Sequence, residues 1–406
     1  MDLDNDVSTI LAILRSESES SPELINILYQ FEDFYERKLW HQLTEILDEF
    51  YYQFDKALVT PSLKFKIYSL FISQFQSKLN PIKVVDFLLE SFSKPEETGD
   101  KLLELKQDFL NQIKREQNFK EDDEEFKKVV DQEESIIYVD LQIARYYLIL
   151  NKLNDTEDIL SRLSPKFESS NNDLNTKINA AYYLTKCELC KISENYNDYY
   201  KNGLLYLSSV TNLNEEDKLQ ICYQLCIAAL LGDRIYNFGE LILHDILLTI
   251  QGESSPYNWL YNLIQNLNSG NLQEFNKWLI VGFKTSPMLV KFELFLKQKI
   301  IIMALLELIS QTPTTNKQLS FQAISDFTST PLNDVEHLII KCFSLNLIQG
   351  YINQIDQILI ITWLQPRILN LNQVKTLYNH LVDWDNKVDN LAKSVYQNGG
   401  TVWAGL

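Results

Sequence analysis

Apolar residues recur every three or four positions along most of this chain. Leu39, Leu43, Ile46, Leu47, Phe50 and Phe54 follow i, i+3, i+4 spacing and predict one amphipathic helix face. Pro61 and Pro81 each follow a polar turn residue, which predicts a helix start at each. From Ile136 to about Leu308 the pattern reads helix, short turn, helix. Similar turns begin at Asn151, Asn195, Gly232 and Gly270, roughly 40 residues apart, a period that suits stacked helical pairs of the tetratricopeptide kind. Asn154 followed by Glu157 predicts an N-cap with a returning side chain on one second helix. In such arrays neighbouring pairs supply one another's core and leave surfaces for partners.

The pattern changes after residue 312. LSFQAI predicts a short strand entering a short helix, and Thr330 with Pro331 predicts the N-cap and first position of the next helix. That helix carries Val335, Leu338, Ile339 and Cys342 on one stripe. A strand around Leu347 to Ile352, a turn near Asp356 and a strand from Ile358 to Trp363 follow. This is the order of a winged helix. The unpaired backbone edges of such a strand pair invite another chain, which makes Gly350, Ile352, Ile358 and Ile360 candidate assembly residues.

A long helix is predicted from about Leu371. Val374, Leu381, Val388 and Val395 fall seven apart, with Leu377, Trp384 and Leu391 three residues after the first three. This heptad seam wants a partner helix, and its terminal position favours other chains. The predicted fold is therefore mostly α: a right-handed α-solenoid of tetratricopeptide-like pairs, a winged helix and a long C-terminal helix. The predicted divisions are 1–115 helical repeats, 116–135 acidic linker, 136–311 further repeats, 312–369 winged helix and 370–406 heptad helix and tail. The linker contains five consecutive acidic residues and reads as a solvated connection.

Composition agrees with helix. The 406 residues include only 11 glycines and 10 prolines, with 45% apolar and 23% charged. The formal net charge of −18 disfavours a nucleic-acid partner, since phosphate binding rests on Lys and Arg. From Thr314 to Leu369, Lys317, Lys341 and Arg367 face Asp326, Asp334, Glu336 and Asp356, so the wing lacks a basic reading surface. The longest apolar run, Ile300 to Leu306, is far short of a membrane span of about 20 residues. The acidic N-terminal stretch is unlike a secretory signal, and five cysteines in a chain of this length fit reduced thiols inside a cell.

The search for chemistry excludes more than it offers. His41, His244, His337 and His380 are far apart in sequence, and no phosphate-cradling glycine loop occurs. Cys187 with Cys190, and Cys222 with Cys226, could in principle hold zinc, but both pairs fall inside apolar helical stripes where cysteine acts as a small apolar group. His337 reads as an exposed residue of the second wing helix. No enzyme, cofactor or metal is expected.

FLKQKIIIMALLELI from Phe295, VEHLIIKCFSLNLIQGYINQ from Val335 and the strand ending in Trp363 resemble the PCI family. FYERKLWHQLTEIL from Phe34, GLLYLSS from Gly203, ALLGDRIYNFGELILHDIL from Ala229 and WLQPRIL from Trp363 narrow the resemblance to a PCI subunit of the proteasome regulatory-particle lid. Family wings usually read Gly-x-Ile-Asp-Gln, and here Asn353 stands at the Asp position. The resemblance implies a non-catalytic scaffold in ubiquitin-dependent degradation, in cytoplasm and nucleus. Its implied partners are other lid PCI subunits, with the deubiquitinase and ubiquitin-receptor subunits as further neighbours, in a hetero-oligomer. The alternatives are a PCI subunit of the signalosome or of a translation initiation factor complex, or a nucleic-acid-binding winged helix.

Overall fold

Helix ends in this protein are closed by a recurring local device. Asn151, Glu194 and Gly270 take left-handed backbone angles, with φ of 58°, 54° and 69°. The next amide then reaches back five residues: Lys152 N to Tyr147 O at 2.8 Å, Asn195 N to Cys190 O at 2.9 Å and Asn271 N to Asn266 O at 3.1 Å. These bonds satisfy carbonyls that a helix end leaves open. Asn195 and Asn271 then cap the following helices, accepting from the amides of Asp198 and Glu274.

The computed structural model describes residues 7–17, 22–53, 59–117, 129–130, 132–168, 174–210, 213–252, 255–312, 318–367 and 371–398. The acidic run of the predicted linker, and Phe54, lie outside them. The chain divides into two compact units, Met1–Thr211 and Asn212–Leu406.

The first unit holds α1 (Val7–Glu17), α2 (Pro22–Glu36), α3 (Trp40–Asp48), α4 (Pro61–Lys66), α5 (Pro81–Ser91), α6 (Pro95–Gln117), α7 (Glu134–Ile149), α8 (Leu153–Phe167), α9 (Thr176–Ile192) and α10 (Tyr196–Ser209). Thr60 and Asn80 cap α4 and α5, with Pro61 and Pro81 at the first helical position, as the sequence predicts. The predicted stripe puts Leu43, Leu47 and Phe50 in the core beside Phe31 and Phe71. Leu39 is not part of it: α3 begins at Trp40, which leaves Leu39 at the cap and exposed. α7 is buried from Ser135 to Ala144. Its one buried acid, Asp140, is paired with Lys106 of α6 at 2.5 Å and with Arg162 of α8. A charge this deep is tolerated only with such partners. The predicted Asn154 cap is displaced. α8 starts at Leu153 after Lys152, with no side-chain cap, so Asn154 is already inside the helix.

The second unit begins with α11 (Glu215–Leu231). The expected hairpin at Gly232 does not form. Residues 232–238 run without helix into the five-residue α12 (Gly239–Leu243) and a 3-10 segment, Asp245–Ile250. α13 (Asn258–Ser269), α14 (Leu272–Thr285), a 3-10 turn (Pro287–Phe292) and α15 (Glu293–Gln311) follow. The reason for the irregular stretch is Lys299 of α15. Its side chain is buried, and its ammonium donates to the carbonyls of Ala229 at 2.7 Å, Leu230 at 3.1 Å and Gly232 at 2.6 Å. The rings of Tyr236, Phe238 and Phe295 stand 5.4–5.7 Å from the nitrogen, within cation–π range. Lys299 thus ends α11 from outside and gathers the 232–238 strap around itself.

The winged helix comprises β1 (Gln318–Ser320), α16 (Phe321–Thr328), α17 (Leu332–Ser344), β2 (Ile348–Asn353) and β3 (Ile358–Leu364). The sheet has three strands in the order β1-β3-β2, all antiparallel, where the sequence reading had a two-stranded wing. The predicted Thr330 cap moves one residue on. Pro331 occupies the cap of α17, and the Thr330 hydroxyl turns back to Thr328. Val335, Ile339 and Cys342 of the predicted stripe are fully buried. Arg367, just past β3, pairs with Glu307 of α15 at 3.2 Å. The long helix is α18 (Leu371–Asn398).

Replacing Lys299 strands three buried carbonyls. Lys299→Met should lower the stability of the chain by about 2–4 kcal/mol, read from the midpoint of urea unfolding. Burial pushes the Lys299 pKa down to about 7, against an opposing pull from Asp233. The unfolded chain holds a proton that the folded chain releases above that value, so stability from this residue grows as pH rises. The wild-type advantage over Lys299→Met should widen between pH 7 and 9 in the same measurement.

Candidate assembly surfaces

The wing is built around a close backbone approach. Pairing shifts register between Gln349 and Gly350, so that Gln349 faces Trp363 while Gly350 faces Ile361. A Cβ at Gly350 would stand 2.0 Å from the Ile360 carbonyl oxygen. Only glycine fits this bulge, which bends and twists the hairpin.

The turn carries the residue that departs from the family pattern. Asn353 accepts from the Asp356 amide at 3.3 Å and donates to the Asp356 carboxylate at 2.8 Å. An aspartate could do the first but would repel Asp356 in the second, so asparagine suits this turn. Gln357 closes the turn at φ 55° and offers its carbonyl to the Phe321 amide at 2.8 Å.

β3 is bonded on both sides, by β1 and by β2. Ile358 and Ile360 therefore present side chains and no free backbone; both are half-buried, on the face that also carries Tyr351 of β2. Ile352 pairs with Leu359, whose side chain is buried, and is itself half-buried. β2 has a partner strand on one side alone among the described residues. The apolar side chains that face outward there, Tyr351, Trp363 and above all Ile355 at the turn (95% exposed), were not singled out from the sequence. A strand's alternation could have flagged the first two.

On α18 the seam is open. Val374, Leu377, Leu381, Trp384, Val388 and Leu391 are all exposed, Leu381 by 56% and Trp384 by 65%. Val395 continues the row, and Tyr378, Val382 and Tyr396, outside the heptad reading, are exposed beside it. At about 100° per residue these positions sweep roughly half the helix circumference. A two-stranded coil uses a narrower stripe, so this face suits contact with more than one helix.

Three of the five thiols are held far from the reactive form. Burial pushes the Cys187 and Cys342 thiols up to about 12 and Cys190 to about 11, opposite to an activated thiolate. Cys222 and Cys226 sit one turn apart in α11 with sulfurs 4.0 Å apart, both fully buried. Among the described residues no group of three or more His, Cys, Asp or Glu side chains could hold a metal. His337 is exposed on α17, and the neighbouring Glu336 accepts from Gln354 of the wing turn at 3.2 Å. No helix among the described residues is long and apolar enough to cross a membrane.

Helical repeats leading into a three-stranded winged helix define a PCI protein. Residues 286–363 match the PCI domain, and residues 27–264 match the PSD13 N-terminal repeats. The chain belongs to the PSD13 family of PCI-domain proteins. It is 36% identical to the 26S proteasome regulatory subunit RPN9 of Saccharomyces cerevisiae, over 98% of this chain and 99% of that one. It is 33% identical to the probable 26S proteasome regulatory subunit rpn9 of Schizosaccharomyces pombe, over 99% and 100%. It is 30% identical to the 26S proteasome non-ATPase regulatory subunit 13 homolog B of Arabidopsis thaliana, over 95% and 97%.

The Gly350 geometry gives a direct test. Gly350→Ala must push β2 from β3 and should cost about 2 kcal/mol or more, with faster amide exchange confined to the hairpin. Unchanged exchange at Tyr351 and Ile360 would show that the strands do not approach in this way.

Proposed function

We propose that this chain is a non-catalytic scaffold subunit of the proteasome regulatory-particle lid. It joins other PCI subunits through its winged helix and inserts α18 into a bundle with their helices, in the service of ubiquitin-dependent degradation. The observation that carries this reading is the open apolar face of α18, which a soluble chain keeps exposed only if something covers it. The relatives' names, as regulatory and non-ATPase subunits of the 26S proteasome, support the assembly. The deubiquitinase and ubiquitin-receptor subunits are the further neighbours in this reading, and cytoplasm and nucleus are its compartments. The acidic balance of the wing favours protein over nucleic acid as the partner.

Leu381→Asp places a charge in the middle of the seam without touching the core. The isolated variant should unfold within about 0.5 kcal/mol of wild type, as surface changes do. Tagged and purified from its own cells, it should carry at least tenfold less of the other lid subunits than wild type. Normal recovery would remove α18 from the assembly role, and wild-type chain that brings down no lid subunits would remove the reading itself.

A further inference from the structure

One strip of the second unit runs against the charge of the chain. The whole carries −18, yet between Leu272 and Gln298 Lys277, Lys284, Lys291 and Lys297 are exposed against two acids, Glu274 and Glu293. Those two acids are already paired with Lys277 and Lys297, each at 2.6 Å. Among the described residues Lys284 and Lys291 have no carboxylate within ion-pair distance. Between the lysines stand apolar side chains open to solvent: Ile280, Val281, Met288, Val290 and Leu294, the last 78% exposed.

The spacing places them in two rows. Lys277, Ile280, Val281 and Lys284 fall three, four and seven apart on α14 and share one face. Val290, Leu294 and Lys297 repeat that spacing where the 3-10 turn runs directly into α15. The support beneath is rigid. Phe275, Leu279, Leu289 and Leu296 are buried under the strip. α14 lies flush on α13, since a Cβ at Gly282 would come 2.8 Å from the Trp259 ring.

We infer that this strip docks an acidic amphipathic segment of a neighbouring polypeptide, whose apolar side chains meet Ile280, Val290 and Leu294 and whose carboxylates meet Lys284 and Lys291. Charge decides the occupant. A second copy of the strip would set lysine against lysine in a two-fold contact. An anionic membrane attracts local lysines but repels a body of this net charge. An acidic segment leaves neither conflict and brings partners to the two lysines without them. The inference rests on the chain working inside a multi-subunit assembly.

The test uses Leu294→Cys in a Cys190→Ser background, the other thiols being buried. Maleimide should label the introduced thiol quickly in the isolated chain and at least tenfold more slowly in the purified assembly. Adding Lys284→Glu with Lys291→Glu should restore most of the free rate, while Lys284→Arg with Lys291→Arg should keep the protection. Equal labelling in the free and assembled chain overturns the proposal. So does protection that ignores the charge reversal, or protection that appears only with phosphatidylserine vesicles. A chain that assembles yet labels quickly refutes this docking strip alone, whereas a wild-type chain that assembles with no lid subunit refutes the scaffold role with it.

Discussion

The Lys299 ammonium is the contact on which the second unit is organised. A buried cation is costly unless every donor is used, and here three carbonyls accept from it while three rings close around it. The same helix, α15, receives two further parts of the unit. Five residues on, Ala304 lies against the turn of the α13–α14 hairpin, where a Cβ at Gly270 would approach its Cα to 2.9 Å. One turn later Glu307 holds Arg367 at the exit of the wing. Repeat end, hairpin turn and wing are each referenced to successive turns of one helix. That helix is accordingly apolar nearly all round, with Ile300 and every residue from Ile302 to Leu306 buried.

Much of this was legible in the sequence because it follows from local rules. Proline after Thr60 or Asn80 marks a helix start through its fixed φ and its missing N–H. The hairpin turns near Asn151, Asn195 and Gly270 could be found by period, and Asn151 and Gly270 themselves take the left-handed position. The heptad on α18 is a matter of counting. What escaped depends on residues far apart. Lys299 in an apolar run looks like a surface residue at a helix edge; only the fold reveals that its head group ends a helix some 70 residues earlier. The short strand at LSFQAI was legible, but its pairing with β3 crosses about 40 residues of intervening chain and has no local signal. The irregular strap after Gly232 is dictated by the lysine it surrounds rather than by its own composition.

The exposed apolar side chains also divide by origin. Those of α18 lie where a heptad predicts them, and only the breadth of the face needed the full helix to be seen. Those of the α14–α15 strip sit among lysines, and they read in the sequence as an unremarkable mixture of apolar and basic positions. The motifs WLQPRIL and FLKQK, which marked the family, proved to hold Arg367, half-buried, and Lys299, fully buried, the cations that tie the wing and the repeat end to α15.

Repeat arrays ordinarily fold by adding each pair to the last, so early repeats can stand before later ones exist. The lysine cage breaks that order in the second unit. As the chain leaves the ribosome, the carbonyls ending α11 emerge long before the side chain that satisfies them. The strap between them has no partner of its own to wait upon. This half of the molecule therefore gains its native order late and all together, once α15 has been synthesised. Until then it offers chaperones an unfinished helix end and two uncovered aromatic rings, Tyr236 and Phe238.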